Sequence, residues 1–133
     1  MADAGERLPV RTSEDVVRVR QLVRARAVSL GFSIVDQTKI ITAASEIARN
    51  TVDYGGGGEL ILEVVRQGAR PGLKLIFQDT GPGIPNVDLA LTDGYTTGGG
   101  LGLGLPGSKR LCNEFYIESR AGEGTRITLI RWK

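Results

Sequence analysis

The chain has no histidine and one cysteine among its 133 residues. The missing histidine excludes Ser-His-Asp nucleophilic catalysis, most zinc sites and phosphorylation of the chain on its own imidazole. Without a histidine to activate it, Cys112 reads as a small buried hydrophobe rather than a catalytic thiol. One cysteine forms no internal disulfide, which fits a reducing compartment. A large excess of either charge is also missing: 17 Lys and Arg face 15 Asp and Glu, a net charge of +2. That balance, with no dense basic run, argues against a nucleic-acid partner. No apolar run approaches the ~20 residues of a membrane span, and the polar N-terminus has no signal-peptide core. A cytoplasmic protein without a membrane partner is expected. The remaining composition, 41% hydrophobic and 24% charged, is that of an ordinary globular protein, and the length suits one domain over 1–133.

What the chain does have is glycine. Seven of its 19 glycines lie in Asp93–Gly107, read DGYTTGGGLGLGLPG. Glycine weakens packed strands but lets a backbone approach a ligand closely and turn several N–H groups towards an anion. The run leads into Leu105–Cys112, a helix candidate with Pro106 in its first turn. A glycine loop feeding a helix N-terminus is physically suited to phosphate.

In chain order, Glu6–Arg11 reads as an edge strand or extended arm around Pro9. Thr12 or Ser13 caps a first helix with a buried stripe of Val16, Val19, Val23, Ala27 and Leu30, closed by Gly31. Arg18, Arg20, Arg24 and Arg26 lie off that stripe, as a solvated face or a docking face for an acidic partner. Ser33 opens a second helix, roughly Ile34–Tyr54. Its apolar face is Ile40, Ala44, Ile47, Ala48 and Thr51, and Lys39, Thr42, Glu46, Asn50 and Asp53 lie opposite. Glu46 and Asn50 are one turn apart and share a volume.

Glu59–Gln67 and Gly72–Gln78 read as strands joined by a hairpin loop, Gly68–Gly72. The second strand runs into Asp79-Thr-Gly-Pro-Gly83, a plain turn around Pro82 or the lining of a ligand site. Asn86–Ala90 suggests one helical turn. Glu114–Ser119 and Thr125–Trp132 form a closing antiparallel pair around Gly122-Glu-Gly124. The order of elements predicts an α+β two-layer sandwich: a mixed, mostly antiparallel sheet covered on one face by helices.

Gly102-x-Gly104-x-x-Gly107 matches a dinucleotide fingerprint, but a polar loop precedes it instead of a strand. A Walker A loop fails because Ser108 separates Gly107 from Lys109. What remains is an ordered set: Glu46-x-x-Arg49-Asn50 on a helix, Asp79-x-Gly81-x-Gly83 after a strand, and Thr97-Gly-Gly-Gly-Leu-Gly102-Leu-Gly104. This set resembles the N, G1 and G2 boxes of the Bergerat-fold (GHKL) ATP-binding superfamily, which includes gyrase, Hsp90, histidine kinases and the anti-sigma-factor serine kinases. Within it the chain is similar to the stand-alone serine/threonine kinases, and Asp93–Leu111 and Tyr116–Thr125 to the switch kinases of bacterial stressosomes.

The resemblance implies ATP and Mg²⁺ as cofactors and a set of assignments. Asp79 would accept a hydrogen bond from the adenine amino group, and Thr125 would add a contact near adenine. Asn50 would ligate Mg²⁺ through its amide oxygen. Glu46 would orient or deprotonate the attacking hydroxyl. Thr97, Gly98, Gly100, Leu101, Gly102, Leu103 and Gly104 would form the loop around the phosphates, and Gly81 and Gly83 would let the backbone pass close to the nucleotide. Arg49 could pair with a phosphate or with Glu46. The implied reaction is phosphoryl transfer to STAS-domain proteins of the RsbS and RsbR kinds, after which the freed kinase activates a PP2C-type phosphatase of the RsbU kind. Two other readings stand beside it: an anti-sigma-factor kinase that also sequesters a sigma factor, and a binding module with a degenerate ATP site, against which Glu46 and Asn50 argue.

Overall fold

A computed structural model describes residues 5–83 and 104–133. Strand β1 (Glu6–Val10) is followed by helices α1 (Ser13–Ser29) and α2 (Ile34–Asp53). The hairpin β2 (Gly58–Gln67) and β3 (Arg70–Asp79) comes next, then a short helix α3 (Leu105–Arg110) and the hairpin β4 (Glu114–Arg120) and β5 (Gly124–Trp132). The sheet order is β1-β2-β3-β5-β4. All four pairings among the described residues are antiparallel, so the expected mixed sheet is antiparallel throughout them.

Alternation along the strands builds the core. Leu60, Phe77 and Ile127 form one cross-strand row, and Leu62, Leu75 and Leu129 the next; all six are buried. The stripes of α1 (Val16, Val19, Val23, Ala27) and α2 (Ile40, Ala44, Ile47, Ala48) close the same core. The caps were readable. Thr12 and Asp15 form a reciprocal capping box and Ser33 caps α2, each worth about 1 kcal/mol. Gly31, at φ 83°, ends α1 as the left-handed residue after its cap.

Two boundaries differ from the sequence reading. The expected five-residue loop Gly68–Gly72 is a two-residue turn, Gly68-Ala69. Gln67 pairs with Arg70 and Arg66 with Pro71, so the strand runs through the proline. The missing N–H of Pro71 is tolerated near a strand end, and its carbonyl accepts the N–H of Lys133. Helix α3 stops at Arg110 rather than Cys112.

Candidate functional site

The site is built where α2 ends against the C-terminal end of β3. The Asn50 carbonyl accepts the N–H groups of both Tyr54 and Gly55, which tightens the last turn of α2 and delivers Gly55 to the sheet. There it touches Asp79: a Cβ on residue 55 would lie 2.4 Å from Asp79 Oδ2. Only glycine fits this approach. Gly81 in turn lies on Gly55, and a Cβ there would lie 2.5 Å from the Gly55 carbonyl oxygen. Gly83 closes on Arg120 in the same way. Both glycines are thus positions of close chain-to-chain approach, Gly81 on Gly55 and Gly83 on Arg120.

Asp79 is thereby fixed. Its Oδ1 accepts the Gly81 N–H at 2.9 Å, and the Thr125 backbone N–H also donates to the carboxylate. Burial pushes its pKa up, and these two hydrogen bonds oppose the rise. Asp79 and Thr125 are cross-strand partners. The Thr125 side chain shares a 2.9 Å hydrogen bond with Ser119, whose hydroxyl also reaches the Gly124 carbonyl at 3.1 Å.

Between α2 and the sheet lies a small cavity of about 20 Å³, room for roughly one water. It is lined by Asn50, Thr51, Tyr54, Phe77, Asp79, Leu105, Thr125 and Ile127. Three predicted residues from three elements, Asn50, Asp79 and Thr125, thus meet on one cavity. Sequence reasoning missed Tyr54, Phe77 and Ser119, although each carried a signal. Tyr54 follows Asn50 by four residues, Phe77 precedes Asp79 by two, and Ser119 pairs with Thr125. A much larger open groove, about 960 Å³, runs along the sheet end on the other side of Asp79 and Thr125. It includes neither Asn50 nor Glu46. Asp79 and Thr125 line both spaces and so join the small cavity to the open groove.

Glu46 lies one turn earlier on α2, half-buried, with Arg49 donating to it at 3.2 Å. Of the two partners open to Arg49, the structure shows the carboxylate. Gly104, with φ 66°, caps α3 directly against Glu46: a Cβ there would lie 2.5 Å from Glu46 Oε1. So the last glycine of the G2-like run sits beside Glu46. Thr97, Gly98, Gly100, Leu101, Gly102 and Leu103 lie outside the described residues, as does the turn expected at Asn86–Ala90. Among the described residues, no group of three or more Cys, Asp or Glu side chains gathers as a metal site.

The fold and these convergent groups are those of a known class. Residues 35–133 match the model of the histidine kinase-, DNA gyrase B-, and HSP90-like ATPase family, and the chain belongs to that family. Within it the chain is 50% identical over 123 residues to the serine/threonine-protein kinase RsbT of Bacillus subtilis, covering 92% of both chains. Its class is that of the ATP-dependent serine/threonine protein kinases. It is also 29% identical to the anti-sigma F factor of Clostridium kluyveri over 83% of this chain and 80% of that one. Among solved structures, the RsbU and RsbW domains of Rv1364c from Mycobacterium tuberculosis superpose with a TM-score of 0.62 at 21% identity, over 98% of this chain and 33% of that one. The catalytic domain of the histidine kinase ThkA superposes with a TM-score of 0.54 at 16% identity, over 95% of each chain. Both share the fold.

Proposed function

We propose that the chain phosphorylates STAS-domain proteins of the RsbS and RsbR kinds, using ATP and Mg²⁺ held where α2 meets the β3–β5 pair, with the one-water cavity there only the polar corner of the nucleotide site. The observation that carries this reading is the convergence of Asn50, Asp79 and Thr125 on that one cavity. The donor set fits the nucleotide. An ionised Asp79 offers acceptors only, which suits an exocyclic amino group, and the Thr125 hydroxyl can accept or donate beside it. The Asn50 amide oxygen is a hard ligand that would suit Mg²⁺, and the ion when bound would offset phosphate charge.

In transfer, the acceptor hydroxyl oxygen bonds to the γ-phosphorus as the bond from that phosphorus to the ADP oxygen breaks. The hydroxyl proton passes to Glu46, whose half-exposed carboxylate is open to solvent on one side. Gly104 and the glycines before it would hold the phosphates through backbone N–H groups. The phosphorylated scaffold would release the kinase to activate a PP2C-type phosphatase of the RsbU kind in the cytoplasm, where ATP is at hand. Likeness to an anti-sigma F factor favours a second reading, in which the same kinase also sequesters a sigma factor.

Incubation with labelled ATP, Mg²⁺ and candidate STAS proteins tests the proposal. The expected result is label on one serine or threonine of a STAS protein. No label on any STAS protein, with capture of a sigma factor instead, would select the second reading.

A further inference from the structure

A second groove, about 260 Å³, lies between α1 and α2 on the other flank of Glu46. It is lined by Arg20, Ile41, Thr42, Ser45, Glu46 and Arg49. Its volume is below the usual range for a small-molecule pocket and suits one or two side chains. None of the groups assigned to adenine or Mg²⁺ lines it. Its charge is lopsided, with two guanidinium groups to one carboxylate. Arg49 is already paired with Glu46. Arg20 is exposed and has no carboxylate partner among the described residues, whereas its neighbours on α1, Arg18 and Arg26, pair with Asp15 and Glu6. Arg24 is likewise unpaired but does not line the groove.

We propose that this groove receives the acceptor protein, and that Arg20 pairs with an Asp or Glu close to the serine or threonine to be phosphorylated. The inference rests on the kinase reading. Glu46 borders both the groove and Gly104, so a hydroxyl presented from the groove arrives where the end of the glycine loop meets the carboxylate. Thr42 and Ser45 offer hydroxyls to the acceptor backbone, and buried Ile41 gives the groove an apolar floor. Arg20 is thus a specificity residue and not a catalytic one. A cation on the rim acts through encounter and register, so its effect falls on KM and is screened by salt.

The test compares parent, Arg20→Glu and Arg24→Glu proteins for transfer from ATP to the STAS protein that the parent modifies. Arg20→Glu is expected to raise KM for that acceptor about tenfold at low salt, with kcat and ATP affinity unchanged, while Arg24→Glu stays near the parent. Replacing by Lys, one at a time, each acidic acceptor residue near the mapped site should restore transfer by Arg20→Glu in one case. Parental KM in Arg20→Glu, equal losses in both variants, weakened ATP binding in Arg20→Glu, or no compensating acceptor variant would each overturn the inference. A parent that labels no acceptor would remove the kinase reading and this inference with it, an outcome distinct from the other four.

Discussion

The two acidic groups of the site, Asp79 and Glu46, occupy opposite kinds of surroundings. Asp79 stands at a strand end, walled by Gly55, held by two backbone N–H groups, and with its pKa raised by burial. Glu46 is on the solvent side of a helix, with one ion pair to an exposed arginine and an αL glycine at its flank. A group that cannot move and has a defined acceptor direction is fit to recognise. A group with solvent access and a labile partner is fit to exchange a proton. On the proposed function, the same residue class would divide into binding and chemistry because the fold buries and fixes one carboxylate and leaves the other part-exposed beside a single arginine.

Glu46→Gln breaks that division most severely. It keeps the shape beside Gly104 and removes the proton acceptor, so transfer is expected to fall on the order of 10²–10⁴-fold while ATP affinity is kept. Single-turnover transfer and calorimetric nucleotide binding, measured on the same preparation, check both halves. Parental transfer rates would remove Glu46 from the mechanism. Asp79→Asn is the converse. The Gly81 N–H, which donates to Oδ1, would keep the new amide oxygen, and the NH₂ would then meet the adenine amino group donor to donor. A cost of about 2 kcal/mol, roughly thirtyfold in ATP Kd, is expected. Equal affinity would refute the adenine assignment. Gly55→Ala leaves every polar group in place and pushes a methyl into Asp79. A loss of about 1–2 kcal/mol in stability, read by denaturant unfolding, should accompany weaker ATP binding. Unchanged binding would show that the wall around Asp79 is not what fixes it.

The sequence was informative wherever local chemistry decides structure. Thr12, Ser33 and Gly31 mark the ends of the first two helices because capping is a short-range hydrogen-bonding matter. The buried stripe of α2 followed from helical period alone, and it left Glu46 and Asn50 on the opposite side. The use of Gly55 and Gly81 was not legible. Each is glycine because of a chain segment far away in sequence, and composition does not distinguish a glycine that faces a ligand from one that faces another backbone. The two-residue turn Gly68-Ala69 is not legible for a related reason. Pro71 signals a break locally, but sheet pairing carries the strand through it. The Arg20 groove was visible only as an off-stripe arginine, because its other wall comes from α2.

The smallest expected effect is a pH dependence, and it turns on the same contrast. Because burial raises the Asp79 pKa in the folded protein, its ionised form is disfavoured relative to the unfolded chain. Its contribution to stability is therefore present below the unfolded pKa and lost as pH rises through the raised folded value. On the proposed assignment binding would run the other way, because the adenine amino group would need the carboxylate. ATP affinity should begin to fall, as pH is lowered, at a pH above the ordinary aspartate value, and by a few-fold before the protein itself acidifies. The carboxylates of Glu6, Asp15, Asp36 and Glu59 sit lower than usual because they are hydrogen-bonded, chiefly to arginine, glutamine or backbone N–H groups. Their stability is present above their unfolded values and is lost only at more acid pH, so the fall in affinity should precede unfolding. Isothermal titration across that range, with Asp79→Asn alongside, checks the assignment. The variant has nothing to protonate at position 79 and should show a flat profile from a weaker starting affinity. A matching decline in the variant would move the titrating group to the nucleotide or elsewhere in the site.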